Sequence, residues 1–201
     1  MTLSNRIIAD GNKSTLNGAG RAIAFGALVS VYQSGLNGEE AASSIGTLTA
    51  LVDAMNVDWR IIGLRALQLA VKHNSRNEPI DSDILKGICD AVLRGMGDYT
   101  IDERGDVGSL VRLQAMSCAA GLLELPRKQV DACPEALVAL QADVVRLSLE
   151  KLDRVRLQAA QCRSDAVGTA SDIASVSSCD YFSHALRPLE EASDPSCPWP
   201  Y

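Results

Sequence analysis

Aromatic side chains are scarce in this sequence, only 4% of its 201 residues. A β-sandwich draws its core from Val, Ile, Tyr and Trp, whereas here alanine and leucine supply most of the 47% hydrophobic content. That balance favours closely packed helices, and it leaves enough apolar side chain to bury a core. Basic residues are not in excess either. Nineteen Lys and Arg against 25 acids give a net charge of −6, so no basic stripe exists and no nucleic-acid partner is expected. No apolar run reaches the roughly 18 residues of a membrane span, so no membrane partner is expected. The opening MTLSNRIIADGNKS lacks the apolar core of an export signal.

Metal-binding residues are equally thin. The cysteines Cys89, Cys118, Cys133, Cys162, Cys179 and Cys197 never come closer than 15 positions and form no C-x-x-C, and only His73 and His184 could assist them. A zinc site is therefore not expected, nor any other cofactor. Cys89, Cys118 and Cys162 sit at apolar helical positions beside Ala or Ile, where a thiol behaves as a small hydrophobe.

What the sequence does have is helical periodicity almost throughout. Residues 19–33 read as a helix stopped by Ser34-Gly35. Asn37 caps a second, running to about Met55, with Glu39 and Glu40 favourably placed in its first turn. Asp58 opens a third, with Trp59, Ile62, Ala66 and Leu69 on one face. Asp81 caps a fourth, striped by Ile84, Leu85, Ile88, Ala91 and Val92. A fifth starts near Ser109 and aligns Val111, Ala115, Cys118, Leu122 and Leu125. Pro134 suits the first turn of a sixth, with a seam of Leu137, Leu140, Val144 and Leu147. A seventh begins near Leu152. No strand-like alternation interrupts the series, so the class is all-α.

A repeat underlies the helices. "GRAIAFGAL" at 20–28, "WRIIGLRAL" at 59–67, "VRLQAMSCA" at 111–119 and "VRLQAAQCR" at 155–163 share an arginine followed three positions later by Ala or Gly. The arginines Arg21, Arg60, Arg112 and Arg156 are spaced 39, 52 and 44 apart. Helix-pair repeats of about 40 to 47 residues give such spacing, with one insertion. The small residue lets two helices approach, and the arginine can pair with an acid six positions earlier, Asp106 before Arg112 and Glu150 before Arg156. The expected architecture is an α-solenoid of HEAT/armadillo-like helical hairpins over residues 1–163. Residues 164–201 form an atypical Ser- and Pro-containing tail, with one short helix around Tyr181 to Leu189 and then extended chain. No polar capping helix is evident in it, which implies a fragment or an aberrant end of a longer protein.

Between the fourth and fifth helices lies "MGDYTIDERGDVGSLVRLQAM", residues 96–116, with four acids, one arginine and three glycines among Gly97 to Gly108. A calcium loop beginning at Asp98 fails at its two demanding positions, where Glu103 replaces the turn glycine and Ser109 the bidentate glutamate. A phosphate cradle at Gly105 and Gly108 lacks a lysine and a preceding strand, and Asp106 would repel the anion. Hydrolysis would need a base and a placed nucleophile, and neither histidine is here. No catalytic residue is assigned. A joint between helices accounts for more: Asp106 can accept from free N–H groups of the next helix or pair with Arg112, and the glycines permit tight turns. Tyr99, Thr100, Asp102 and Arg104 are then left exposed with no folding role. With Asp98, Asp106 and Arg112 they are the candidate partner-binding residues.

This segment resembles the signature at the head of the carboxy-terminal domain of the tubulin-folding cofactor D family, approximately D-Y-T-x-D-x-R-G-D-V-G-x-x-V-R-x-x-A-M. Asp98, Tyr99, Thr100, Asp102, Arg104, Gly105, Asp106, Val107, Gly108, Val111, Arg112, Ala115 and Met116 all match. "EKLDRVRLQAA" at 150–160 is similar to that family's later E-K-x-D-x-x-R segment. The resemblance covers residues 1 to about 160. It implies a large cytoplasmic, microtubule-associated helical-repeat chaperone that captures β-tubulin after its release from the cytosolic chaperonin. With cofactors C and E, such a protein assembles the α/β-tubulin heterodimer and stimulates GTP hydrolysis by tubulin. It also implies contact with an Arf-like small GTPase. The competing reading is a helical-repeat adaptor whose partner is unrelated to tubulin.

Overall fold

The structure, a computed structural model, describes residues 38–74, 80–125 and 133–169, together with positions 20, 22–24, 26 and 27. The chain divides into two compact units, Met1–Ala166 and Val167–Tyr201, and all contacts below lie within the first. The expected first helix is described only at those six positions, all of them helical. The expected short helix at Tyr181 to Leu189 and the proline-rich end lie outside the described residues.

Six helices are bounded in full: α1 (Gly38–Val52), α2 (Val57–Asn74), α3 (Ser82–Met96), α4 (Gly108–Leu123), α5 (Pro134–Leu147) and α6 (Asp153–Thr169). The class is all-α, with one small exception. A hairpin of two-residue strands, β1 (Ile101–Asp102) and β2 (Gly105–Asp106), sits between α3 and α4. The expectation of no strands is corrected there, because two residues are too few to show alternation in a sequence.

Local signals explain most helix ends. Asp81 caps α3, its carboxylate accepting from the amides of Asp83 and Ile84. Pro134 occupies the first turn of α5. α2 starts one residue before the expected Asp58, which lies in its first turn, and Asn56 stands ahead of it with its Oδ1 accepting from the Asp58 amide at 2.7 Å. α6 runs to Thr169, so residues 164–169 are still helical.

In chain order the helices fall into three pairs joined by loops, and the first two pairs are packed helix on helix. α1 packs on α2 and α3 on α4, the odd helices α1, α3 and α5 are successive neighbours, and α2 packs extensively on α4. Leu85, Ile88, Val92, Val111, Cys118, Leu122, Leu137, Leu140, Val144 and Leu147 are all buried, as their periodicity predicts. Burying each large aliphatic stabilises the fold by about 1.5–3 kcal/mol. α2 departs from its expected face. Of that face Ala66 is fully buried but Trp59, Ile62 and Leu69 are only half-buried, while Leu64, Leu67, Ala70 and Val71 are enclosed. This helix is covered by α1 on one side and α4 on the other, and two covered sides blur a single stripe.

The small residue of the repeat frame is buried at Gly63, Ala115 and Ala159. A Cβ on Gly63 would lie 2.8 Å from the Leu51 Cβ, so α1 and α2 touch there. In the first frame Ala24 is exposed instead. Close approach there falls to Gly26, where a Cβ would meet the Ala66 carbonyl oxygen at 2.2 Å.

Candidate functional site

The segment Gly97–Val107 folds tightly because each part of it has a donor or acceptor to satisfy. Strands β1 and β2 pair antiparallel, Ile101 opposite Asp106 and Asp102 opposite Gly105. The return turn needs a left-handed residue, and Gly105 supplies it at φ +98°. Asp98 Oδ1 accepts from the Thr100 amide at 2.9 Å, and the Thr100 carbonyl accepts from the Gly108 amide at 2.9 Å. Asp106 caps α4 from one residue outside it, its Oδ1 accepting from the Ser109 amide at 2.9 Å.

Two arginines hold this loop from below. Arg112 of α4 is 1% exposed. Its Nη2 donates to Asp106 Oδ2 at 2.7 Å, and its Nη1 donates to the Asp98 carbonyl. Its guanidinium lies 4.2 Å from the centroid of the Tyr99 ring, a cation–π arrangement that covers the charge. Arg60 of α2 donates to Asp98 Oδ2 at 2.7 Å and Thr100 Oγ at 2.8 Å, and to the Ala54 and Met55 carbonyls of the α1–α2 loop. Burial alone would raise the Asp98 pKa. The Thr100 hydroxyl and the Arg60 guanidinium outweigh it and hold that carboxyl below the usual range.

A third connection reaches the α5–α6 loop. The Tyr99 hydroxyl donates to Glu150 and accepts from Arg146 Nη1 at 2.7 Å, while Arg146 Nη2 donates to the Met96 carbonyl. Burial and the Glu150 carboxylate raise the Tyr99 pKa. Arg154 of α6 donates to the Ser109 hydroxyl at the start of α4. The three loops within the helix pairs are thus joined along one edge.

The candidate residues now sort by what they touch. Asp98, Thr100, Asp106 and Arg112 are engaged inside the joint, and Tyr99, half exposed, ties it to the next pair. The reading that Tyr99 and Thr100 lack a folding role is corrected. Only the tip projects: Arg104, whose side chain is 67% exposed, pairs with Asp102 at 2.7 Å, and Ile101 and Glu103 flank them in solvent. Three carboxylates of the motif, those of Asp98, Asp102 and Asp106, face three different arginines and do not converge on a point.

The repeat arginines share one geometry that spacing only partly suggested. Arg60, Arg112 and Arg156 each reach back six residues, to the Ala54 carbonyl, the Asp106 carboxylate and the Glu150 carbonyl. Only in the middle pair is the contact with the acid's side chain. The Glu150 side chain goes to Tyr99 instead, and Arg156 pairs with Asp153.

Sequence reasoning singled out Tyr99 but missed the other exposed apolar residues on this edge. Seven large hydrophobics are exposed among the described residues. Six of them, Met55, Tyr99, Ile101, Leu110, Leu149 and Leu157, lie in these loops or within the first five residues of the helix that follows. Val138 is the exception. Periodicity carries no signal for a lone apolar residue in a loop, although Met55 and Leu149 do stand beside turn residues in the sequence.

No family model and no solved structure matches the chain. Among the described residues, no helix is long and apolar enough to cross a membrane.

Proposed function

We infer that this chain is a segment of a tubulin-folding chaperone, a HEAT-like stack of helical pairs that binds β-tubulin along its loop edge. It supports assembly of the α/β-tubulin heterodimer, and GTPase activation of tubulin, together with cofactors C and E. An Arf-like small GTPase is a further partner, and the setting is the cytoplasm near microtubules. The role is that of a scaffold without catalysis of its own.

The observation that carries this reading is that six of the seven exposed large apolar side chains among the described residues lie in the three loops or early in the helices that follow them. Apolar residues clustered on a surface mark contact sites for other proteins. The thirteen-residue match between 98 and 116 supplies the tubulin assignment. The succession of α1, α3 and α5 as neighbours, the packing of α2 on α4, and the arginine that reaches back six residues in each pair support the solenoid.

Capture of purified β-tubulin by the full chain tests the assignment. Arg104→Glu should abolish capture with helicity unchanged, because Arg104 holds only Asp102 at the exposed tip. An adaptor for another partner is the second reading. It prevails when the wild-type chain ignores tubulin yet retains a different protein through the same edge.

A further inference from the structure

Three of the exposed apolar residues follow the odd helices in turn. Met55 stands just past α1, Ile101 past α3 and Leu149 past α5, and they are 95%, 76% and 78% exposed. Because α1, α3 and α5 are successive packed neighbours, these tips form a row. Its ends lie about 20 Å apart, twice the usual spacing of packed helices.

A partner strand is poorly suited to this row, since β1 and β2 offer only two residues each as an edge to pair with. A helix of about 14 residues spans roughly 20 Å, and its apolar stripe matches a row one side chain wide. Charge narrows the choice further. Beside Met55 and Ile101 stand the exposed Asp58 and Glu103, neither in an ion pair among the described residues. The neighbouring arginines Arg94 and Arg104 are already taken by Asp53 and Asp102. Asp58 lies close enough to Arg104 to strengthen that group's hold on its proton, after the larger effect of Asp102. This end of the row therefore carries surplus negative charge.

We propose that the loop edge receives an amphipathic helix of a partner protein, its apolar stripe on Met55, Ile101 and Leu149 and its flank bearing lysine or arginine. The inference rests on the edge being a contact surface and not on the tubulin assignment.

The probe is a labelled helical peptide of about 18 residues built from leucine and lysine, titrated into the full chain by fluorescence anisotropy. A counterpart carries glutamate in place of lysine. The lysine peptide should bind about tenfold tighter than the glutamate one, and Met55→Ser/Ile101→Ser/Leu149→Ser should weaken it about tenfold or more. Val138→Ser, at the far end of α5, should leave binding unchanged. An unaltered denaturant midpoint and circular dichroism spectrum certify that the triple variant folds. No binding of the lysine peptide, equal binding by the triple variant or by the glutamate peptide, or self-association of the chain through these residues would overturn the proposal. Peptide binding without tubulin capture would sink the tubulin assignment alone.

Discussion

Gly108→Ala tests the closeness of the joint at a single atom. A Cβ there would lie 2.6 Å from the Asp98 carbonyl oxygen, 2.6 Å from the Thr100 nitrogen and 2.7 Å from Asp98 Oδ1. Two of these are backbone atoms, which cannot rotate aside. Moving the loop outward would also stretch the Gly108 amide bond to the Thr100 carbonyl, now 2.9 Å. Overpacking of this kind costs about 1–3 kcal/mol, and the weakened hydrogen bond adds about 1 kcal/mol. The expected loss is about 2–4 kcal/mol, or a melting temperature lower by roughly 5–12 °C. Guanidinium and thermal unfolding followed by circular dichroism would measure it. Gly87→Ala is the control of opposite sign: it lies within α3 with nothing inside 4 Å of the added Cβ, so alanine should stabilise by about 0.5–1 kcal/mol. A Gly108→Ala chain as stable as wild type would refute the reasoning.

Other outcomes follow from the same contacts. Arg112→Met removes the guanidinium between the Asp98 carbonyl and Asp106. It should cost about 2–4 kcal/mol by denaturant titration, below the full value for a buried pair because Asp106 keeps about a third of its side chain in water. Asp98 has its folded pKa below its unfolded value, so its stabilisation is present above the ordinary carboxylate range, about pH 3.9, and is lost as pH falls through the folded value. Asp98→Asn should remove that part of the acid-limb slope, and an unchanged slope would contradict it. Among the described cysteines, Cys133 alone is partly exposed. Maleimide labelling mapped by mass spectrometry should modify it in the native chain while sparing Cys89, whose thiol burial pushes up to about 12, and the enclosed Cys118.

The parts of the fold that showed in the sequence were those governed by near neighbours. The 137–140–144–147 seam follows from one helix meeting one core, and the Asp81 cap follows from a side chain reaching its own next amides. The Asp106–Arg112 pair lies within a loop and the helix turn after it, so spacing revealed it. Contacts across 38 to 51 positions did not show. Arg60 to Asp98 and Tyr99 to Glu150 depend on how pairs stack, and no local pattern encodes that. For this reason residues that looked free for a partner proved to be partly occupied by the fold. The buried surface of α2 coincides with its expected face only at Ala66, because two neighbours cover the helix. Met55 and Leu149 were missed because exposure of a single loop residue is set by tertiary packing.

Hydrogen exchange of the full chain, with and without β-tubulin, addresses the central claim most directly. That claim is that the motif's buried arms hold the joint while its tip and the neighbouring loops meet the partner. Bound tubulin should bring new protection to residues 53–56, 99–105 and 148–151 and leave the helix around Val138 as it was. Protection concentrated elsewhere, with these three loops exchanging as in the free chain, would contradict the account.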